Sequence, residues 1–130
     1  MTNENCIFCK IVKGEIPAVK IWEDENYLAI LDINSINPGH TLLIPKKHED
    51  YLFDLNNEEY SGLMLKSKIV AELLKKKLNP KRIGMAVEGF GVPHIHIHLV
   101  PINNPYELNP EKAKKMSSEK LNKIQEMILK

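Results

Sequence analysis

Residues 94–99 read His-Ile-His-Ile-His-Leu, and no other stretch limits the possible folds so tightly. Strict two-residue alternation matches the pleat of a β-strand, whose successive side chains point to opposite faces; it fits no helical face. The spacing predicts a strand over 94–100. His94, His96 and His98 should share one surface, roughly 6–7 Å apart, with Ile95, Ile97 and Leu99 turned toward a core. The chain has five histidines, so three within five positions mark a functional surface rather than scattered polar residues. The plain alternative, a polar sheet face of water-satisfied imidazoles, would suit one histidine better than three in register behind Gly89-Phe90-Gly91.

Around this strand the chain divides into short elements. CIFCKIVK (6–13) reads as a short helix ended by Gly14 and Pro17. VKIWEDE (19–25) and YLAILDI (27–33) read as a hairpin across Asp24-Glu25-Asn26. HTLLIP (40–45) is a third strand, entered by the Asn37-Pro38-Gly39 turn and closed by Pro45. From Asn57 to Leu78, Tyr60, Leu63, Met64, Val70, Ala71, Leu74 and Leu78 form one helical stripe, and Asn79-Pro80 stops it. IGMAVE (83–88) is a fourth strand. The tail is polar up to Ser117, an N-cap whose flanking Met116 and Leu121 have hydrophobic-staple spacing for a last helix through Ile124 and Ile128. Short links between successive strands favour an antiparallel α+β sheet.

With 130 residues, 43% hydrophobic and 27% charged, the composition suits one compact domain with a real core. A formal net charge of +1 gives no global attraction to nucleic acid or membrane. Lys75-Lys76-Lys77 and Lys112-Ala113-Lys114-Lys115 read as solvated helix ends or faces. No apolar run reaches membrane-spanning length, and the first ten residues lack a basic-then-apolar leader pattern. Two cysteines cannot make a disulfide framework, so a reducing, cytoplasmic setting is expected.

Two chemistries suit the histidine surface. Imidazole binds zinc, copper or iron, and near neutral pH it also serves as nucleophile or proton donor. Same-face positions on one straight strand diverge, so a metal there needs ligands from elsewhere. Cys6-Ile7-Phe8-Cys9 has the spacing of a zinc half-site, and His48 follows the third strand. The cysteine pair alone can be read as a redox pair, a zinc half-site or two buried thiols; without a thioredoxin-like βαβ context the zinc half-site is favoured. His40, behind Pro38-Gly39, adds no metal geometry.

His94-Ile95-His96-Ile97-His98-Leu99-Val100 resembles the His-φ-His-φ-His-φ-φ signature of the histidine triad family of nucleotidyl hydrolases and transferases. Residues 6–48 resemble that family's amino-terminal half almost continuously, through the GEIPA, LAILDI, PGH and IPKKH strings. The resemblance covers about 100 residues and leaves the last 25 or so less specific. It implies a histidine-triad α+β fold: about five antiparallel strands, a short amino-terminal helix, one long helix and a carboxyl-terminal helix. It implies a single domain over 1–130, with its core at about 6–105 and a helical extension at 106–130.

By the same resemblance, His96 attacks the α-phosphorus of a nucleoside phosphate derivative and His98 stabilises the charge that develops. Asp32 would bind the ribose hydroxyls. Phe8, Ile11, Ile16, Ile30 and Ile33 would wall the base, each also readable as plain core. Members with the cysteine pair resemble the hexose-phosphate uridylyltransferases. That likeness implies a structural, tetrahedral Zn²⁺ on Cys6, Cys9, His48 and His94, and no organic cofactor. The family's Gly-rich loop with Gln and Ser or Thr side chains is shortened here to 86–93, so Gly91 and Val92 backbone groups would cradle the phosphate with His98.

The expected activity is therefore hydrolysis or transfer at the α-phosphorus of purine nucleoside phosphoramidates first, dinucleoside polyphosphates second. It would proceed through a nucleotidyl-histidine, in a cytoplasmic homodimer with neither nucleic-acid nor membrane partner. The alternative is a zinc-stabilised nucleotide-binding or interaction module with little or no turnover. A bare metal-binding protein ranks third.

Overall fold

Asn56 begins the longest element: its side chain accepts from the Glu59 N–H at 2.8 Å while Glu59 accepts from the Asn56 N–H at 3.4 Å, a reciprocal cap. The computed structural model describes residues 4–130. In chain order its elements are α1 (Ile7–Val12), β1 (Lys20–Glu23), β2 (Tyr27–Leu31), β3 (Asn34–Ser35), β4 (Thr41–Pro45) and α2 (Asn57–Leu78). There follow β5 (Arg82–Ala86), β6 (Ile97–Ile102), β7 (Lys114–Lys115) and α3 (Ser118–Leu129). Asn79 ends α2 in the left-handed region at φ 54°, a conformation asparagine tolerates and which the following Pro80 confirms as a stop.

Five strands form one antiparallel sheet in the order β1-β2-β4-β6-β5. The fold is thus α+β, with the short, the long and the final helix that the sequence predicts. Alternation divides the sheet between two cores. Ala29, Leu31, Leu43, Ile97 and Leu99 face α2 and α3, packing with Leu63, Val70, Leu74, Leu121, Ile124 and Ile128. Leu28, Ile30, Leu42 and Ile44 face the other way, against Phe8, Cys9 and Ile11 of α1. Ser117 caps α3 by accepting from Lys120 N–H at 3.2 Å, and Met116 packs on the cluster that holds Leu121.

Two expectations need correction. The histidine strand starts at Ile97 rather than at 94 and continues to Ile102. Its first three residues are drawn out of the ladder: His94 N–H bonds to Val92 O at 2.8 Å and Ile95 N–H to Glu49 O at 2.7 Å. The neighbouring β4 ends in Pro45, which has no N–H to offer. The inward alternation nevertheless survives, with Ile95, Ile97 and Leu99 all buried. The polar tail before Ser117 also carries structure. Lys114–Lys115 pairs with Asn34–Ser35 as a two-residue ladder, and Met116 N–H bonds to Ile33 O at 2.8 Å. Strands so short and polar have no periodicity to read.

Candidate functional site

The sheet register brings three polar residues together on the α1 face. Leu31 pairs with Thr41, so Asp32 and His40 lie opposite each other one step on, joined by Asp32 N–H to His40 O at 2.9 Å. Leu42 pairs with His98, which makes His40 and His98 diagonal neighbours on one face. Their rings meet directly: His40 Nε2 lies 2.9 Å from His98 Nδ1.

The protons in this pair follow from one backbone group. Ile36 N–H donates to His40 Nδ1 at 3.0 Å, so that nitrogen carries a lone pair. Burial first, and then His98, push His40 down to about 4, so its ring is neutral at pH 7 and its single proton sits on Nε2. His40 Nε2–H therefore donates to His98 Nδ1. Burial, and then His96, push His98 to about 4 as well, leaving its one proton on Nε2 and directed away from His40. The same logic rejects a metal on Asp32, His40 and His98, although their ligand atoms lie within 4.8 Å of one another. A cation on His40 Nε2 would have to displace the ring's only proton. Asp32 stands 3.5 Å from His40 Nε2, accepts from Asn34 N–H at 3.0 Å, and is raised above the usual carboxylate range by burial.

His96 is fixed by its own chain. Its Nδ1 lies 2.7 Å from His94 O, so Nδ1–H donates there and Nε2 bears the lone pair. The ring is 8% exposed and packs at 5.1 Å from Phe8 and 5.2 Å from His98, measured between centroids. A buried imidazole held at one nitrogen and bare at the other is the requirement for a nucleophile.

The His94 ring turns to the opposite task. Its Nε2–H donates to Pro45 O at 2.8 Å, which directs the Nδ1 lone pair toward Cys6 Sγ at 3.3 Å, Cys9 Sγ at 3.5 Å and His48 Nδ1 at 3.2 Å. Cys9 Sγ and His48 Nδ1 are 3.3 Å apart. In a tetrahedron with Zn–S of ~2.3 Å and Zn–N of ~2.0–2.1 Å, ligand atoms stand roughly 3.3–3.8 Å apart. The four residues fit zinc: two thiols, two imidazoles, near-tetrahedral separations, and a carbonyl behind one ring to hold its tautomer. Cys6 also caps α1, accepting from Cys9 N–H at 3.4 Å, so the half-site spacing and the helix start are one feature.

The remaining expected residues divide by exposure. Phe8, Ile11 and Ile30 are buried in one cluster against which Ile16 and Val92 pack, whereas Ile33 is 54% exposed beside Asp32. Gly91 is exposed, and the left-handed residue of its loop is Gly89 at φ 88°. The residue that sequence reasoning undervalued is His40. Its signal was the even spacing of His40, Leu42 and Ile44, which puts it on the α1 face; what it meets there depends on register, which one strand does not reveal.

The HIT domain family model matches residues 13–104, starting after the cysteine pair. An uncharacterised HIT-like protein of Methanocaldococcus jannaschii is 43% identical over 100 residues, 74% of this chain and 78% of that one. The adenosine 5′-monophosphoramidase of Schizosaccharomyces pombe is 34% identical over 131 residues, 92% of this chain and 98% of its own. Among solved structures, a Zn-bound histidine triad family protein from Mycobacterium smegmatis superposes with a TM-score of 0.78 at 32% identity. That superposition covers 95% of this chain and 93% of the other. The chain belongs to the histidine triad (HIT) family.

Proposed function

We propose that the protein hydrolyses nucleoside 5′-phosphoramidates, with purine ribonucleotides as the preferred nucleotide and dinucleoside polyphosphates as poorer substrates. One observation carries this reading: His96 Nδ1–H is committed to the His94 carbonyl at 2.7 Å, leaving a buried Nε2 as the available nucleophile. The monophosphoramidase activity named for the S. pombe relative points the same way. In the first step Nε2 attacks the α-phosphorus, the P–N bond breaks, and its electron pair leaves with the amine, which is protonated from solvent. In the second, water attacks phosphorus and releases a proton to solvent as the P–Nε2 electron pair returns to the ring. His98 Nε2–H donates to a phosphoryl oxygen as its charge grows, and backbone N–H groups about Gly91 and Val92 assist. Asp32 takes the ribose hydroxyls, and Phe8, Ile11, Ile16, Ile30 and Ile33 wall the base.

Cys6, Cys9, His48 and His94 hold a structural zinc in this reading, supported by their spacing and by the Zn-bound relative. A bound zinc supplies cross-linking, not water activation, because four protein ligands leave no open position. The domain spans 1–130 and pairs as a homodimer in the cytoplasm, with neither nucleic acid nor membrane as partner. Cys6 and Cys9 are buried thiols, and no helix among the described residues is long and apolar enough to cross a membrane.

The test compares wild type with His96→Ala on adenosine 5′-phosphoramidate and a diadenosine polyphosphate. AMP release by wild type alone supports the enzyme. Nucleotide binding by both without release supports the alternative, a zinc-stabilised nucleotide-binding module, which the lack of Gln, Ser, Thr or Asn in the loop over 86–93 favours.

A further inference from the structure

A hollow of about 80 Å³ touches His96 without touching any of the apolar residues gathered around Phe8. Buried Leu52 and Ile95 line its interior, and Tyr51 and Phe53, 56% and 67% exposed, line it as an edge-to-face pair 5.6 Å apart. Asp50 and Glu88 complete it. Both are exposed, neither has an ion-pair partner among the described residues, and no lysine or arginine lines the hollow. His96, whose Nε2 has no hydrogen-bond partner among the described residues, also lines the hollow.

This hollow therefore presents two aromatic rings and two unneutralised carboxylates beside His96. Such a set attracts an ammonium or guanidinium group and repels a polyphosphate. Its volume of about 80 Å³ suits a short alkyl chain and not a second nucleoside.

The geometry points to a leaving-group subsite for amines that carry a second positive charge, with Asp50 and Glu88 as its specificity-determining residues. The inference rests on the phosphoramidate reading and says which amides are cut fastest. When His96 Nε2 bonds to phosphorus and the P–N bond breaks, the departing amine keeps that electron pair and gains one proton from solvent. Its distal cation stays beside Asp50 and Glu88 throughout.

Three adenosine 5′-phosphoramidates test this, with 4-aminobutyl, propyl and 2-carboxyethyl groups on nitrogen. The expected order of kcat/KM is cationic, neutral, anionic, with about tenfold or more between the extremes at low salt. That ratio should shrink in about 0.5 M salt and in the Asp50→Asn/Glu88→Gln double variant. Glu119→Gln, at an exposed position of α3 that does not line the hollow, should keep the wild-type ratio. Equal turnover of the three amides, or an undiminished ratio in the double variant, overturns the subsite. If wild type cuts none of them, the phosphoramidate reading fails, and 1,4-diaminobutane titrated into the protein then decides the subsite alone. Shifts of the Gly89 and Ile95 amide resonances, lost in the double variant, support it; no shift overturns it.

Discussion

The Ile36 N–H determines where two imidazole protons sit. By donating to His40 Nδ1 at 3.0 Å it forces His40 to donate to His98, and so leaves His98 with its donor at Nε2. Both rings should stay neutral through the physiological range. Histidine resonances followed by NMR from pH 8 to 3 should show His40 and His98 titrating well below the ordinary 6.5, near 4. The linkage sign follows from that depression. The unfolded chain binds protons that the folded one refuses, so the stability from keeping these rings neutral is complete above ~6.5 and is lost as pH falls toward 4. His96 is predicted to be the residue without which turnover disappears. His96→Ala should lower AMP release by roughly 10³-fold or more while AMP binding, measured by calorimetry, is retained. At this scale the three triad residues were legible because alternation alone assigns faces. Their division of labour came from the family resemblance and not from alternation. Whether a ring faces a thiol, a carbonyl or another ring depends on partners 40 to 90 residues away, such as Cys6 and His94.

Two small elements support the site. The turn over Asn37–His40 closes with His40 N–H on Asn37 O at 3.0 Å and holds Gly39 at φ 93°. A Cβ there would overlap Leu78 Cδ1 and approach Pro101 Cγ to 3.1 Å, on a backbone that L-residues avoid. Gly39→Ala should therefore destabilise the fold by about 1–3 kcal/mol in urea unfolding, and it should lower activity too because His40 is the next residue. Helix α1 is only six residues long and its N-cap is Cys6. An isolated helix of that length does not persist in water, so its place depends on packing and on the Cys6–Cys9–His48–His94 cluster. Chelator treatment or Cys9→Ser should lower Tm by about 10 °C or more in calorimetry, and metal analysis of untreated protein should give about one zinc per chain. The turn was readable in Asn37-Pro38-Gly39 and the short helix in CIFCKIVK (6–13). The β3–β7 ladder was not, because Asn34–Ser35 and Lys114–Lys115 have neither period nor apolar residues to mark them.

Over the whole molecule, the five-strand order leaves β1 and β5 as edges. On α2, Leu65 and Ile69 are 62% and 44% exposed, and on β5 Met85 is 45% exposed. An unpaired edge beside exposed apolar side chains suits a second copy of the chain. Light scattering should give twice the 14.9 kDa chain mass, and Met85→Pro, which removes an edge N–H, should reduce it to one. Topology was the level most legible in advance, since short links between alternating segments leave few antiparallel arrangements. The exception was the start of β6, where Pro45 ends the neighbouring strand and the histidines are left outside the ladder. That small displacement makes His94 a shared residue: its ring faces the cysteines while its carbonyl holds the His96 proton. Two ligands that press on one residue are thermodynamically reciprocal. If zinc occupancy raises the affinity for a nucleotide bound at His96, that nucleotide must tighten zinc by the same factor. Starvation for zinc would then register as a loss of nucleotide affinity before any loss of fold.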